Sequence, residues 1–269
     1  MTATGRIDTL PHSDELVLDA VDGSLVVTLN RPARANALTE RLMGDLRKLW
    51  AAVATAPWVR SVILTGAGSA FCAGADAAML SEPRTSIGAD AAEELSFVPG
   101  PHLDVPVIVA VNGVCAGGGL HFVADADVAI ASETARFIDP HVTVGQVSGL
   151  EPLELLLRAR RDVVVRMALL GRSEKLDARA AHAAGLVSEV VAPDDLLPHA
   201  LALGARIAEG SPEAIRITRA TIRAFEAELL RPHLDAGWRA VQDHWPHPDA
   251  HEGPVAFLEK RAPRWAGAE

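Results

Sequence analysis

The stretch from Val105 to Gly149, VPVIVAVNGVCAGGGLHFVADADVAIASETARFIDPHVTVGQVSG, constrains this chain more than any other. An apolar, β-branched run at Val107 to Val111 leads into three consecutive glycines, 117 to 119, and then to His121. A second strand-like run follows and leads to His141 behind Pro140. Short continuous apolar runs of this kind fit strands buried on both faces. The two strands are expected to end at one site, and the chemistry of the protein is expected there.

The rest of the chain supports a mixed architecture. Leu16 to Val21 and Leu25 to Leu29 are β-rich runs separated by Asp22-Gly23, a dipeptide suited to a tight hairpin turn. Thr39 is placed to cap a helix carrying Leu42, Leu46, Leu49 and Val53 on one face and ending near Pro57. Val62 to Thr65 predicts a buried strand, opening into the loop GAGSAFCAGAD at 66 to 76, too rich in Gly and Ala for helix or ordinary strand. Residues 81 to 101 have no readable pattern. A helix is predicted from near Leu120, and short strands at Val128 to Ala131 and Ala135 to Ile138. Helical periodicity runs from Pro152 to Leu170, closed by Gly171, and again from Asp177 to Ala184, before the strand-like LVSEVV. Further helices are expected near 198–209, 212–228, 231–243 and 254–260. Strands alternating with helices, then helices alone, indicate an α/β core over residues 1–195 and a helical C-terminal region over 196–269.

The 269 residues suffice for a substantial core. A net charge of -10 argues against a nucleic-acid or membrane-surface partner, so an anionic ligand must be met by local cations. The first 15 residues contain no apolar leader, and no apolar run approaches the ~20 residues of a membrane span. Cys72 and Cys115 lie among small apolar residues and read as core thiols rather than a disulfide. A cytoplasmic location is therefore expected. His244, His247 and His251 match neither one helix face nor a zinc spacing, so no metal is expected.

FCAGAD and AGGGLH share one physical feature: small residues where a buried strand gives way to a helix. N–H groups at a helix start lack intrahelical partners, and small residues let a ligand oxygen come close. Two such loops converging would form an oxyanion hole; equally, the glycines could serve only close packing. The glycine triplet lacks both the G-x-G-x-x-G and the G-K-S/T context, which disfavours nucleotide binding.

Taken together, RPARANAL (31 to 38), VILTGAGSAFCAGAD (62 to 76), PVIVAVNGVCAGGG (106 to 119), Asp125-x-Asp127, ARF (135 to 137), LDARAAHAAGLVSEVV (176 to 191) and AFLEKRAPRW (256 to 265) resemble the enoyl-CoA hydratase/isomerase (crotonase) family over almost the whole chain. The resemblance implies an α/β, crotonase-like spiral core of repeated ββα turns. It also implies a helical C-terminal region for trimerisation and CoA contacts, and a homotrimer or dimer of trimers. The implied ligand is an acyl-CoA thioester, with coenzyme A part of the substrate and no separate cofactor. Its carbonyl would be held by the N–H groups of Ala75 and Gly118. Arg34, Ala73, Asp76, Gly117, Phe257 and Lys260 are the implied CoA contacts.

The departures from the family carry as much information. Its hydratases place glutamates at the two positions that are His121 and His141 here, and the glycine-rich segment after the second reads Ser148-Gly149-Leu150-Glu151-Pro152. Two imidazoles, one neutral and one protonated, can divide acid and base roles near neutral pH. His121 in the first turn of a helix is expected to be neutral, His141 to be oriented by Asp139 or Glu151, and Glu151 to act as a third member. The leading expectation is acyl-CoA chemistry through a stabilised enolate, as a lyase or isomerase. The alternatives are β-diketone C–C bond hydrolysis with His141 as base, and a non-catalytic acyl-CoA-binding protein. The acyl pocket wall is expected from residues 78 to 100.

Overall fold

The computed structural model describes residues 7–76, 78–79 and 88–267. Part of the expected acyl wall, residues 77 and 80–87, therefore lies outside the described residues.

The chain opens with β1 (Leu16–Val21) and β2 (Ser24–Leu29), paired antiparallel around Asp22 and Gly23. Both turn residues have positive φ, 49° and 86°, matching the twist of a two-residue hairpin. Then come α1 (Glu40–Val53), β3 (Ser61–Gly66), β4 (Ala70–Cys72), α2 (Ala91–Glu94), β5 (Val107–Val111), β6 (Val114–Ala116) and α3 (Gly119–Asp125). They are followed by β7 (Val128–Ser132), β8 (Arg136–Ile138), α4 (Glu151–Leu155), α5 (Arg161–Leu170), β9 (Leu176–Asp177), α6 (Ala178–Ala183) and β10 (Glu189–Val191). Helices α7 (Leu196–Ala208), α8 (Pro212–His244) and α9 (Pro248–Leu258) complete the order.

Two sheets result. The larger has strand order β1-β2-β3-β5-β7-β10, parallel after the first hairpin, and the smaller runs β4-β6-β8-β9. Successive turns lay one strand in the large sheet and the next in the small one: β3 then β4, β5 then β6, β7 then β8. Alternation along the strands divides the core. Val26, Ile63, Ile108 and Ile130 face Leu196 and Ala200 of α7, while Val27, Val62, Leu64, Val107 and Val109 face the main core with Leu46, Trp50 and Phe122. Cys72 and Cys115 are buried, free and paired in register across β4 and β6, and burial pushes the Cys72 thiol up to about 12.

Thr39 caps α1 as expected, its hydroxyl accepting from Leu42 N–H at 3.1 Å. Other elements differ from the sequence reading. The glycine-rich loop at 66 to 76 contains β4, because buried Asn36 donates to the carbonyls of Ala67 and Ala70 and holds that backbone extended. The helix expected from Pro152 to Leu170 is two, α4 and α5. Arg160 is extended there (ψ 130°) and its N–H is captured by the Ala184 carbonyl at 2.9 Å, a tertiary bond that interrupts the helical ladder. Conversely, the helices expected at 212–228 and 231–243 are one 33-residue helix with Pro232 inside it. An internal proline costs a helix about 3 kcal/mol. Anchors on either side outweigh that cost: buried Trp238 donates to the Gly88 carbonyl at 2.9 Å, and Arg219 and Arg223 are clamped further up.

That clamp fixes α8 to the end of the sheet. Arg219 pairs with Asp127 at 2.7 Å and donates to the carbonyls of Leu103 and Gly100; Arg223 pairs with Asp125 at 3.1 Å and Asp127 at 3.2 Å. Removing one member of a buried pair strands the other charge. Arg219→Ala is accordingly expected to lower stability by about 3–5 kcal/mol in urea unfolding. A loss within about 1 kcal/mol, the range of a surface pair, would show that the clamp carries little.

Candidate active site

The loop 66–76 and the glycine triplet meet beneath the 31–38 segment. Leu38 N–H donates to the Gly74 carbonyl and Asp76 N–H to the Leu38 carbonyl, both at 2.8 Å, while Ala73 N–H donates to Ala35. Gly74 has φ +85°, and a Cβ built there would lie 2.8 Å from the Ala116 carbonyl and 3.0 Å from Gly118 N. A Cβ on Gly118 would lie 3.9 Å from Ala75 N. Gly117 N–H is used, donating to the Ile138 carbonyl at 3.1 Å. Among the described residues, the N–H groups of Ala75 and Gly118 have no backbone partner. Among the described residues the two loops thus present two adjacent donors without a backbone partner, and the ring of His141 stands next to them, its Cε1 3.7 Å from the position of a Cβ on Gly117.

His141 opens a short 3-10 turn after Pro140, and His121 sits in the first turn of α3. Both project toward Glu151 at the start of α4: Glu151 Oε1 lies 3.1 Å from His121 Nε2 and 3.3 Å from His141 Nε2. The far nitrogen of each ring has its own carboxylate. His141 Nδ1 bonds Asp139 Oδ1 at 2.7 Å, and Asp139 accepts in turn from the Ser148 hydroxyl at 2.5 Å. His121 Nδ1 bonds Glu154 Oε2. Carboxylates and imidazoles therefore alternate in the order Asp139, His141, Glu151, His121, Glu154. Access differs along this chain. The His141 side chain is 21% exposed, and those of His121 and Glu151 are 6% each. Phe97 packs edge-on against His121, and Gly237 of α8 lies against Gly149 so closely that a Cβ on either would clash with the other's carbonyl. The packing holds Glu151 in place and leaves His141 as the accessible ring.

Burial alone would favour neutral rings, yet both histidines hold their protons more tightly than an ordinary imidazole. For His121 the charges of Glu154 and Glu151 overcome desolvation; for His141, those of Glu151 and Asp139 do so. The neutral His121 expected from its helix position is thus corrected: two carboxylates at bonding distance outweigh a helix terminus seven residues long. Burial would raise Glu151, but the two imidazoliums hold it far below the usual carboxylate range. Burial likewise raises Glu154, opposed by the charge of His121.

Linkage gives the pH dependence. Raised imidazole values contribute stability that is full below the ordinary 6.5 and lost as pH rises through the folded-state values. The depressed Glu151 contributes above 4.5, lost as pH falls. Stability is expected to decline above pH 6.5 by up to about 1.4 kcal/mol per pH unit for each proton so held. Denaturation at several pH values, with histidine 15N NMR to locate the steps, checks this; neutral His121 and His141 rings at pH 6.5 would reverse the assignment.

The sequence profile of the enoyl-CoA hydratase/isomerase family matches residues 20–268. The chain belongs to the enoyl-CoA hydratase/isomerase family. Similar members include a mevalonyl-coenzyme A hydratase of Aspergillus fumigatus, 33% identical over 249 residues, covering 90% of each chain. The 2,3-dehydroadipyl-CoA hydratase of Escherichia coli is 32% identical over 94% of this chain and 99% of its own. The carnitinyl-CoA hydratase of Mycobacterium avium superposes with a TM-score of 0.84 at 29% identity, covering 94% of this chain and 98% of the other. The spiral α/β fold with a helical C-terminal region is thus the crotonase fold.

Within this family member the remaining expected residues fall into two groups. Exposed Arg34 ends a 3-10 turn beside the 73–76 backbone. The Asp76 carboxylate is engaged by Arg31 at 3.3 Å and by Ala78 N–H at 3.1 Å. Phe257 and Lys260 lie at the end of α9, which packs on the turn after His141 through Gly253 against Val144. The Phe257 ring carries the Arg172 guanidinium 4.9 Å from its centroid. Among the described residues, no hydrogen bond or ring contact joins Phe257 or Lys260 to the Arg34 segment. Sequence reading gave no role to Arg172, Ser148 or Glu154. The only signal for Glu154 was its place one helical turn from Glu151.

Proposed function

We propose that this protein is an acyl-CoA enzyme of the hydratase type. In this reading the Ala75 and Gly118 N–H groups hold the thioester oxygen, and His141, backed by Glu151 and His121, moves the proton. The observation that carries the reading is an accessible imidazole, with carboxylates at both nitrogens, beside two backbone donors that have no backbone partner among the described residues. Water adds to Cβ of an enoyl thioester while its proton passes to the imidazole–carboxylate unit. The C=C electron pair moves onto the thioester oxygen, where two preorganised donors stabilise the enolate. The enolate then takes a proton at Cα from His141, returning the unit to its starting state. Glu151 stands in for the family's glutamates from a different position, as the shared counter-ion of both rings. Coenzyme A enters as part of the substrate, with Arg34 on one side and Phe257, Lys260 and Arg172 on the other as its contacts. The assembly expected is a homotrimer or dimer of trimers.

Incubation of the purified protein with 2-enoyl-CoA thioesters of varied acyl chain should consume the conjugated thioester absorbance and yield 3-hydroxyacyl-CoA. Tight binding of the thioesters without any turnover would support a binding protein instead.

The same geometry favours one other reading. A histidine with Asp139 and Glu151 at its two nitrogens is a suitable base for directing water onto a ketone, with the oxyanion pair holding the departing enolate. Turnover of a cyclic β-diketone in the absence of CoA would favour C–C hydrolysis.

A further inference from the structure

Glu154 belongs to two places at once. One carboxylate oxygen bonds His121 Nδ1 inside the cluster, and the residue also lines a cavity of about 500 Å³ between α8, the 98–104 segment and the α4–α5 link. Exposed His102 and Arg216 border that cavity, so it communicates with solvent. From the cavity inward, every step is a bonded or nearly bonded acid/base pair. Glu154 meets His121 Nδ1, His121 Nε2 lies 3.1 Å from Glu151 Oε1, and the same oxygen lies 3.3 Å from His141 Nε2. The glycine loops lie on the far side of His141.

We propose that Glu154 is the solvent-side terminus of a proton relay that runs through His121 and Glu151 to His141, with water in the cavity as the proton source and sink. The proposal rests on the reading of His141 as the acid/base group. When His141 Nε2 gives its proton to carbon, it regains one through Glu151 from His121 Nε2. His121 Nδ1 is refilled from Glu154, and Glu154 from a hydrated proton in the cavity; the reverse sequence discharges a proton. One proton moves at each link: over one hydration the proton taken from water is discharged to the cavity and the one given to carbon is replaced from it, so no net proton is consumed and no other reactant is needed. Glu154 is faced by His121 and Asp125 from α3 and by Glu151 on its own helix, and Arg158 in the link and Arg223 and Glu226 from α8 line the same cavity. Burial and the neighbouring carboxylates oppose ionisation of Glu154 and the His121 charge favours it, and the balance leaves Glu154 holding its proton more tightly than an ordinary carboxyl. Glu154 touches no reacting atom in this scheme and acts as a positioning and relay residue.

Two variants and two readouts test it. Glu154→Gln keeps an acceptor for His121 but carries no acidic proton; Glu154→Ala leaves space for a small acid. With a 2-enoyl-CoA substrate, both are expected to lower kcat roughly tenfold or more, with KM unchanged, short of the ~10²–10⁴-fold loss on removing an acid/base group itself. Formate should restore kcat in Glu154→Ala in proportion to its concentration and leave Glu154→Gln unaffected. Wild-type kcat in both variants, or no response to formate in Glu154→Ala, would overturn the relay. Histidine 15N NMR without substrate supplies the second readout. Glu154→Gln should lower the His121 pKa and, by relieving the His121 charge that opposes protonation of His141, raise that of His141. A shift confined to His121 overturns the relay. With the coupled shift present, a protein that hydrates no thioester discards the hydratase reading and leaves the coupling of Glu154 to His141 standing.

Discussion

His141→Gln is expected to lower kcat for enoyl-thioester hydration by about 10²–10⁴-fold, the usual contribution of a positioned acid/base group. KM should stay near its wild-type value. The two backbone donors and the proposed CoA contacts do not pass through the imidazole, and Gln retains the size and hydrogen bonding of the position. Glu151→Gln should approach the same loss with the histidines in place, because both rings then lose the charge that holds their protons. Steady-state kinetics on a series of 2-enoyl-CoA thioesters gives both numbers. If His141→Gln turned over at the wild-type rate, His141 would only line the pocket and the chemistry would have to be assigned elsewhere.

Gly74→Ala tests the other half of the site without touching a titratable group. Backbone donors cannot be deleted by changing side chains, but they can be displaced. Gly74 combines φ +85° with a Cβ position 2.8 Å from the Ala116 carbonyl and 3.0 Å from Gly118 N, so a methyl group there must push the two loops apart. Loss of one oxyanion donor costs about 10²–10³-fold in kcat in well-studied hydrolases, and an effect of that size is expected here. Circular dichroism and urea unfolding should show the fold retained, since the strain falls on a loop rather than on the large sheet. Full activity in this variant would remove the Ala75–Gly118 pair from the mechanism.

Much of the architecture was legible because it rests on local signals. The Asp22-Gly23 hairpin, the Thr39 cap, the buried runs of β3, β5 and β7 and the positive-φ Gly171 all follow from residue type and period. The elements that were not legible depend on distant partners. β4 is held extended by Asn36, more than thirty residues earlier. The break between α4 and α5 depends on the Ala184 carbonyl, and the continuity of α8 through Pro232 on Gly88 and on Asp125 and Asp127. No window of sequence contains those partners.

The site divides in the same way. Residue identity and spacing placed backbone N–H groups from two glycine-rich loops at strand exits, and the family resemblance then implied histidines where its hydratases have glutamates. They named Asp139 and Glu151 as alternative partners of His141; the folded chain gives His141 both, one at each ring nitrogen. Three features emerge only in the fold: Glu151 is shared by the two rings, carboxylates at both of its nitrogens raise the pKa of His121, and Glu154 joins the cluster to the cavity beside α8. The physical reason is that protonation in a buried cluster is set by charges a few ångströms away in space. Here those charges come from helices and turns that are up to 33 residues apart in the chain.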